Sequence, residues 1–202
     1  MSQATRIGMF GGAFDPPHRA HFALAQAAIA QLRLDHLHIV PTGQAWHKSR
    51  VLSESLHRLA MSEAVFAPLP QAVLDDREIQ RTGPSYTADT LAELAAQYPN
   101  SQRYLIVGLD QLRSFRQWSR HAEILSLATL VVAHRPEQES GQADGLPPVP
   151  HQCLAFEADP ISSTQLRAAL GDPKHRERTL AELPPALARY IAHHHLFETV
   201  TP

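Results

Sequence analysis

Cysteine is almost absent from this chain, which has one, Cys153, among 202 residues. A single cysteine cannot form an internal disulfide, and no Cys/His spacing of the zinc-site type is present. No stretch approaches the roughly 18 consecutive apolar residues of a membrane helix. The N-terminus also lacks the basic start, apolar core and cleavage site of a secretory signal. We therefore expect a cytoplasmic protein that does not span a membrane.

An excess of charge of one sign is also lacking. The formal net charge is -2, and aromatic residues make up only 6% of the chain. Neither a basic stripe nor an aromatic platform for nucleic acid is present, and no bulk field favours an anionic membrane. An anionic ligand must therefore be held by local groups. With 44% hydrophobic residues, the 202-residue length suffices for one core, so we expect a single domain over residues 1–202 whose C-terminal part, from about 161, is helical.

Histidine is abundant, with thirteen in the chain. Three of them, His193 to His195, are consecutive and lie in an apolar, helix-like context. Metal binding by this run is one interpretation, and a helix with a partly solvated face is the other. We favour the helix and predict no metal site.

Short β-rich runs alternate with helical patterns along most of the chain. This alternation predicts βαβ units and a Rossmann-like, doubly wound α/β fold: a mostly parallel sheet with helices on both faces and a small C-terminal helical closure. The expected strands are Arg6–Phe10, Leu37–Val40, Val73–Glu78, Tyr104–Gly108 and Leu130–Ala133, with a further one at "CLAFEA". The expected helices are Ala20–Leu32, Leu52–Phe66, Thr87–Tyr98, a stretch ending at Leu127, and two in "ISSTQLRAAL" and "PPALARYIAHHHLF".

Hydrophobic spacing predicts which helix faces are buried. Leu56, Leu59, Ala60, Glu63 and Ala64 recur at intervals of three and four, as do Leu91, Leu94, Ala95 and Tyr98. Ligands of open α/β sheets bind at the carboxyl ends of the strands, so the loops that follow the strands should share one edge. The Pro- and Gly-rich segment Arg135–Pro150 is predicted to be a loop within the domain, and closure over bound substrates is a hypothesis for it.

The stretch "GGAFDPPHRAH", residues 11–21, lies between the first strand and the first helix. It fits neither G-x-G-x-x-G nor the P-loop pattern. We expect Asp15 to be the N-cap of the helix, with Pro16 at its first position. His18 and His21 would then share one face of the first turn, where each can donate a hydrogen bond to phosphate. The alternative is that both histidines only cap or solvate the helix start.

Two motifs carry a family resemblance. "GGAFDPPHRAH" resembles the G-G-x-F-D-P-x-H-x-G-H signature of the nucleotidyltransferase superfamily, and "ISSTQLR", residues 161–167, resembles its I-S-S-T-x-[IL]-R signature. Ala20 stands where the first signature has glycine. Four further stretches, "SYTADTL", "GLDQLRSFRQW", "HK" at 47–48 and "YIAHHHLF", resemble bacterial nicotinate-nucleotide adenylyltransferases. "AWHK" departs from these relatives, which often have two prolines before the His-Lys pair.

The resemblance implies adenylyl transfer. The 5′-phosphate of nicotinate mononucleotide attacks the α-phosphorus of ATP and gives deamido-NAD and pyrophosphate. Because the nucleophile is already a phosphate oxygen, the reaction needs positioning and fixed positive groups more than a strong base. Mg²⁺ is expected on the ATP phosphates, mainly through water, with no dedicated protein cage.

The resemblance also implies residue roles on the ATP side. His18 and His21 would hold the triphosphate, and Gly108 would admit the adenosine. Asp110 would take a ribose hydroxyl, and Arg135 would stack on adenine or contact phosphate. The expected catalytic residues are His18, His21, Lys48 and Arg167. The expected ATP-binding residues are Phe10, Gly11, Gly12, Phe14, Gly108, Asp110, Arg135, Ile161, Ser162, Ser163 and Thr164.

On the acceptor side, backbone N–H groups near Tyr86 and Thr87, at a helix start, would receive the nicotinate carboxylate. Trp118 would stack on the pyridine ring, or else it packs within the protein. The expected nicotinate-nucleotide-binding residues are His47, Lys48, Tyr86, Thr87 and Trp118.

Other interpretations remain open at this point. "ISST" by itself is also an ordinary helix N-cap. The acceptor could instead be nicotinamide mononucleotide or phosphopantetheine, although "SYTADTL" with a downstream tryptophan favours nicotinate mononucleotide. A nucleotide-sensing regulator without turnover is the alternative from outside the enzymes, and pyrophosphate release would exclude it.

Overall fold

The computed structural model describes residues 4–43, 52–134, 149–157 and 161–199. The predicted site residues His47, Lys48 and Arg135, and most of the predicted loop Arg135–Pro150, lie outside these ranges. In the described part, six strands form one sheet in the order β3-β2-β1-β4-β5-β6, and every neighbouring pair is parallel. The strands are β1 (Arg6–Gly12), β2 (His36–Pro41), β3 (Ala72–Leu74), β4 (Gln102–Gly108), β5 (Thr129–His134) and β6 (Gln152–Ala155).

Helices connect the strands and close the chain. They are α1 (Arg19–Leu32), α2 (Ser55–Phe66), α3 (Arg77–Gln80), α4 (Thr87–Gln97), α5 (Leu109–Ser114), α6 (His121–Leu127), α7 (Ser163–Gly171), α8 (Pro173–Ala181) and α9 (Pro185–His193), with a 3-10 turn at Phe115–Gln117. None of these helices is long and apolar enough to cross a membrane, within the residues described.

The helices pack on both faces of the sheet, as predicted. One core lies under α1, α2, α7 and α9 and includes Leu24, Met61 and Leu187. The other lies under α4, α5 and α6 and includes Leu91 and Phe115. The central strands carry near-continuous apolar runs because both of their faces are buried. The Rossmann-like α/β fold is thereby confirmed.

Two elements differ from the sequence prediction. The expected strand Val73–Glu78 ends at Leu74, and Glu78 lies on α3 instead. The cause is Asp75, whose carboxylate accepts the backbone N–H of Arg77 at 3.2 Å and turns the chain. Helix α8 was not predicted because it is strongly polar and shows little apolar periodicity. It begins with Asp172 as N-cap and a proline at its first position.

The predicted face of α2 was also wrong in part. Its buried residues are Arg58, Met61, Ser62, Val65 and Phe66, whereas Leu56 is 68% exposed. The predicted stripe follows the spacing of mostly apolar residues, whereas a buried arginine and a buried serine lie on the true inner face. The face predicted for α4 is confirmed at Leu91 and Leu94, which are both buried.

The order of the strands places a crevice at the centre of the sheet. From β1 the chain proceeds outward through β2 to β3, and from β4 it proceeds the other way through β5 to β6. The direction of winding therefore switches between β1 and β4. In doubly wound sheets, ligands bind outside the carboxyl ends of the strands at such a switch point.

Candidate active site

A cavity of about 1180 Å³ opens at the carboxyl ends of β1 and β4. Single-ligand pockets commonly measure roughly 300–1,000 Å³, so this cavity is larger than that range. Most of the predicted site residues that are described line it: Phe10, Gly11, Gly12, Phe14, His21, Tyr86, Thr87, Gly108, Asp110, Trp118, Ser163, Thr164 and Arg167. Three others, His18, Ile161 and Ser162, are not part of its wall.

The loop after β1 folds back on itself at Phe14. Phe14 has a positive φ of 47°, and its ring folds over Gly12, where a Cβ would lie 3.0 Å from Phe14 Cζ. The predicted N-cap was wrong: α1 begins at Arg19 with His18 as its N-cap. Asp15 is buried instead, and its Oδ2 accepts the backbone N–H of Ser53 at 3.3 Å. Its carboxylate thus supports the loop and does not cap the helix.

The two motif histidines stack on one another. Their ring centroids are 3.8 Å apart, and the backbone N–H of His18 donates to Nδ1 of His21 at 3.2 Å. With Nδ1 accepting, neutral His21 carries its proton on Nε2, which leaves that atom a hydrogen-bond donor. His18 is only 6% exposed and lies beside His21, which faces the cavity. The capping interaction is therefore present, and it fixes the orientation of His21.

The second motif is hydrogen-bonded to the first. Ser163 Oγ donates to the carbonyl of Pro16 at 2.9 Å, and Arg167 Nη1 donates to the carbonyl of Asp15 at 2.6 Å. Arg167 Nη2 also donates to Thr164 Oγ1 at 3.0 Å. Segments about 150 residues apart in the chain thus share one wall of the cavity.

Helix capping at the start of α7 accounts for part of the second motif. Ser162 is the N-cap, and its hydroxyl accepts the backbone N–H of Gln165 at 3.2 Å. The Gln165 side chain accepts the backbone N–H of Ser162 in return, at 3.0 Å, which completes a capping box. Capping of α7 therefore explains the contacts of Ser162 without a contact to a ligand in the cavity.

The opposite wall is formed by the start of α4 and by Trp118. Tyr86 is the N-cap of α4 and makes no side-chain capping bond. Because Tyr86 and Thr87 line the cavity, the positive end of the helix dipole lies at its wall. The Arg120 guanidinium lies 5.9 Å from the Tyr86 ring centre and pairs with Asp89. Trp118 is partly buried against Phe115, at 5.4 Å between ring centroids, and it also lines the cavity. Trp118 thus packs within the protein and is also accessible to a ligand in the cavity.

Between the two walls, the cavity runs over the end of β4. A Cβ at Gly108 would meet no atom within 4 Å, so the space above this residue is open. Asp110 follows on α5 with its side chain 91% exposed and 3.4 Å from Arg113. Its carboxylate is therefore accessible to a ligand.

Sequence reasoning missed several residues around the cavity. Glu78 lines it and is buried. Burial raises the pKa of its carboxyl, against the opposing effect of hydrogen bonds from Thr90 and the Gly43 N–H and of the charge of Arg81. Arg58 is buried on α2 beneath the loop after β1. Arg58 was missed because it lies off the predicted apolar face of α2, and Glu78 was missed because it was assigned to a strand.

Among the described residues, metal ligands are not gathered at this site. Within the described ranges, no group of three or more His, Cys, Asp or Glu side chains is arranged to hold a metal ion. A cation that accompanies a nucleotide would therefore be held chiefly by phosphate oxygens and water.

A doubly wound parallel sheet with a large cavity at its switch point defines a nucleotide-binding α/β protein. Comparison with known families narrows this class. The family model described as cytidylyltransferase-like matches residues 9–169. The chain is 47% identical over 198 residues to a probable nicotinate-nucleotide adenylyltransferase of Albidiferax ferrireducens, a match that covers 96% of this chain and 98% of that protein. A protein of the same description from Methylibium petroleiphilum is 38% identical, over 97% of this chain and 94% of its own length.

Among solved structures, the Plasmodium falciparum nicotinic acid mononucleotide adenylyltransferase complexed with NaAD is similar, with a TM-score of 0.75. The match covers 96% of this chain and 97% of that one at 19% identity, so it supports the fold only. The chain belongs to the cytidylyltransferase-like family and, within it, to the nicotinate-nucleotide adenylyltransferases.

Proposed function

We propose that this protein transfers the adenylyl group of ATP to nicotinate mononucleotide and releases deamido-NAD and pyrophosphate, a step of NAD biosynthesis. The observation that carries the proposal is the direct hydrogen bonding of the two nucleotidyltransferase motifs, Ser163 to Pro16 and Arg167 to Asp15, in one wall of a cavity of about 1180 Å³. The relatives that share up to 47% of the sequence support the same reaction.

The chemistry requires two polyanions to be brought together. The 5′-phosphate oxygen of the acceptor attacks the α-phosphorus, the bond from that phosphorus to the bridging oxygen breaks, and pyrophosphate leaves. We assign His18 and His21 to the triphosphate, since stacked imidazoles fixed at a helix start can stabilise charge that develops on the α-phosphoryl group. Arg167 and the start of α7, at Ser163 and Thr164, supply further donors to the leaving phosphates.

The binding site assigned to the acceptor is based on helix α4. Its N-terminal N–H groups near Tyr86 and Thr87 favour a bound carboxylate, so nicotinate should bind better than the neutral nicotinamide. Trp118 offers a ring for stacking on the pyridine. The roles of His47, Lys48 and Arg135 rest on the resemblance, because these residues lie outside the described ranges.

Mg²⁺ is assigned as part of the Mg-ATP substrate. Because the described residues contain no metal cluster, the ion is expected to keep several waters. We also infer that residues 1–202 act as one nucleotidyltransferase domain, in which α7 to α9 close the site from the C-terminal side. The hydrogen bonds from α7 to the first motif support this inference.

The test is pyrophosphate release by the purified protein with Mg-ATP and, in parallel, nicotinate mononucleotide, nicotinamide mononucleotide or phosphopantetheine. We expect strong preference for the nicotinate acceptor and deamido-NAD as its product. His18→Ala should abolish most of the rate. Release with none of the three acceptors would contradict the proposal and favour a nucleotide-sensing regulator, and preference for another acceptor would reassign the substrate.

A further inference from the structure

Arg58 is a charged side chain buried within the protein, only 2% exposed. It donates from Nε to the carbonyl of Ser53 at 3.0 Å and from Nη1 to the carbonyl of Ala13 at 3.1 Å. From Nη2 it donates to the carbonyl of Gly43 at 3.4 Å. One guanidinium thus joins the loop after β1 to both ends of the loop between β2 and α2.

Gly43 continues this connection towards α4. Its backbone packs directly against Glu78, whose Oε1 accepts the hydroxyl of Thr90 at 2.9 Å. Glu78 is 6% exposed and Thr90 is fully buried. A Cβ at residue 43 would lie 2.0 Å from the carbonyl oxygen of Glu78, so only glycine fits there.

These contacts form a continuous buried polar chain, which we define as Arg58, Gly43, Glu78 and Thr90. At one end it holds the carbonyl of Ala13, within the first motif. At the other end it holds Thr90, one turn into the helix whose start is formed by Tyr86 and Thr87. The chain therefore spans the two walls of the cavity from beneath, and of its members only Glu78 contributes to the cavity wall.

We propose that the buried polar chain positions the ATP side and the acceptor side of the site relative to each other, with Arg58 and Thr90 as its terminal positioning residues. The inference rests on the proposed function. When both reactants are nucleotides held at separate walls, the rate depends on the alignment of the attacking oxygen with the α-phosphorus. A misplacement of about 1 Å costs on the order of a hundredfold in rate.

The experiment uses Arg58→Lys and Thr90→Val, which keep the charge and the shape of the two side chains respectively. We expect each to lower kcat by about tenfold or more. Because each wall stays intact, the Kd values of ATP alone and of nicotinate mononucleotide alone, from calorimetry, should change by no more than about twofold. The double variant should lose about as much as the worse single variant, as expected of residues that act as a unit.

Two matched controls lie away from the cavity. Arg103 also bonds backbone carbonyls, those of Leu127 at 2.8 Å and Ser101 at 3.0 Å, at the opposite end of the sheet. Thr179 is buried in α8 and donates to the carbonyl of His175 at 2.9 Å. Arg103→Lys and Thr179→Val should leave kcat within about twofold of the wild-type value even if they lower the melting temperature.

Three results would overturn the proposal: an unchanged kcat in Thr90→Val, a loss that appears wholly as weaker binding of one nucleotide, or fully multiplicative losses in the double variant. Should Arg58→Lys fail to fold, Thr90→Val alone decides, because it removes only a hydroxyl. The wild-type assay separates the two claims. No turnover of the wild type contradicts the proposed function, whereas wild-type turnover with unaffected variants contradicts only the positioning chain.

Discussion

The two walls of the cavity are stabilised differently. On the ATP side, residues that face the cavity are themselves hydrogen-bonded to the other motif, as Ser163 is to Pro16 and Arg167 is to Asp15. On the acceptor side, Tyr86 is 43% exposed and makes no capping bond, and the supporting contacts lie one layer deeper, at Glu78 and Thr90. We infer that substitutions of cavity-facing residues on the ATP side act mainly on kcat, and those of cavity-facing residues on the acceptor side mainly on KM. Thr90, which lies outside the cavity wall, is expected to act on kcat through alignment.

The largest expected effect falls on the stacked histidines. His21→Ala removes a fixed donor that faces the cavity, and we expect kcat to fall on the order of 10²–10³-fold, as when an oxyanion donor is removed. Steady-state kinetics at saturating substrates measures the loss. His175→Ala, on the exposed surface of α8, is the control and should keep the wild-type rate. A kcat within threefold of wild type in His21→Ala would show that the pair only caps α1.

A smaller effect is expected where the two motifs meet. Ser163→Ala removes the hydrogen bond to Pro16 and a hydroxyl that faces the cavity, so we expect kcat to fall by about tenfold to a hundredfold. Ser162→Ala is the matched control, because Ser162 caps α7 outside the cavity wall. It should cost about 1 kcal/mol of stability and little activity. Equal loss of kcat in both variants would contradict the distinction between the two serines.

On the acceptor side, Trp118→Ala should raise the KM for nicotinate mononucleotide by about tenfold, since stacking contributes on the order of 1 kcal/mol. The KM for ATP should stay within about twofold, and Trp118→Phe should recover most of the loss. Initial-rate measurements with each substrate varied in turn provide the values. If only the KM for ATP rises, Trp118 contacts ATP and not nicotinate mononucleotide, which would contradict the assignment.

Two buried carboxyls should respond to pH with opposite sign. Burial raises the pKa of Asp75, but hydrogen bonds from His38 and Arg77 outweigh burial and hold that pKa well below its usual range. Ionised Asp75 therefore stabilises the fold above about pH 4, and this stability is lost as the pH falls further. Asp75→Asn should lower the free energy of unfolding at pH 7 by about 2–4 kcal/mol, and the difference should shrink in acid.

For Glu78 the sign is reversed, because burial raises the pKa of its carboxyl above the ordinary value. Stability attributable to this group is greatest below about pH 4.3 and falls as the pH rises through the raised folded-state pKa. Glu78→Gln should therefore change the free energy of unfolding at neutral pH by no more than about 1 kcal/mol. Urea unfolding of both variants at several pH values measures these two changes in the free energy of unfolding. A larger decrease in Glu78→Gln than in Asp75→Asn at pH 7 would contradict the opposite signs predicted for the two carboxyls.

Most of the fold, and the part of the site that the two motifs form, could be predicted from the sequence. Alternating apolar runs predicted the parallel sheet, and the two signatures predicted Ser163, Arg167 and His21, which line the cavity, and His18, which stacks on His21 outside its wall. Local capping rules failed at Asp15, because tertiary contacts bury its carboxylate and leave His18 as the cap. Likewise, hydrophobic spacing cannot find Arg58, whose guanidinium is buried among three backbone carbonyls from two separate loops.

The ratio of kcat/KM for nicotinate mononucleotide to that for nicotinamide mononucleotide, with Mg-ATP saturating, tests the account most directly. The two acceptors differ only in the group that the start of α4 is assigned to bind, a carboxylate or a neutral amide. We predict a ratio of about ten or more in favour of the nicotinate substrate. A ratio near one, or a preference for the amide, would contradict the assignment of α4 to the acceptor carboxylate.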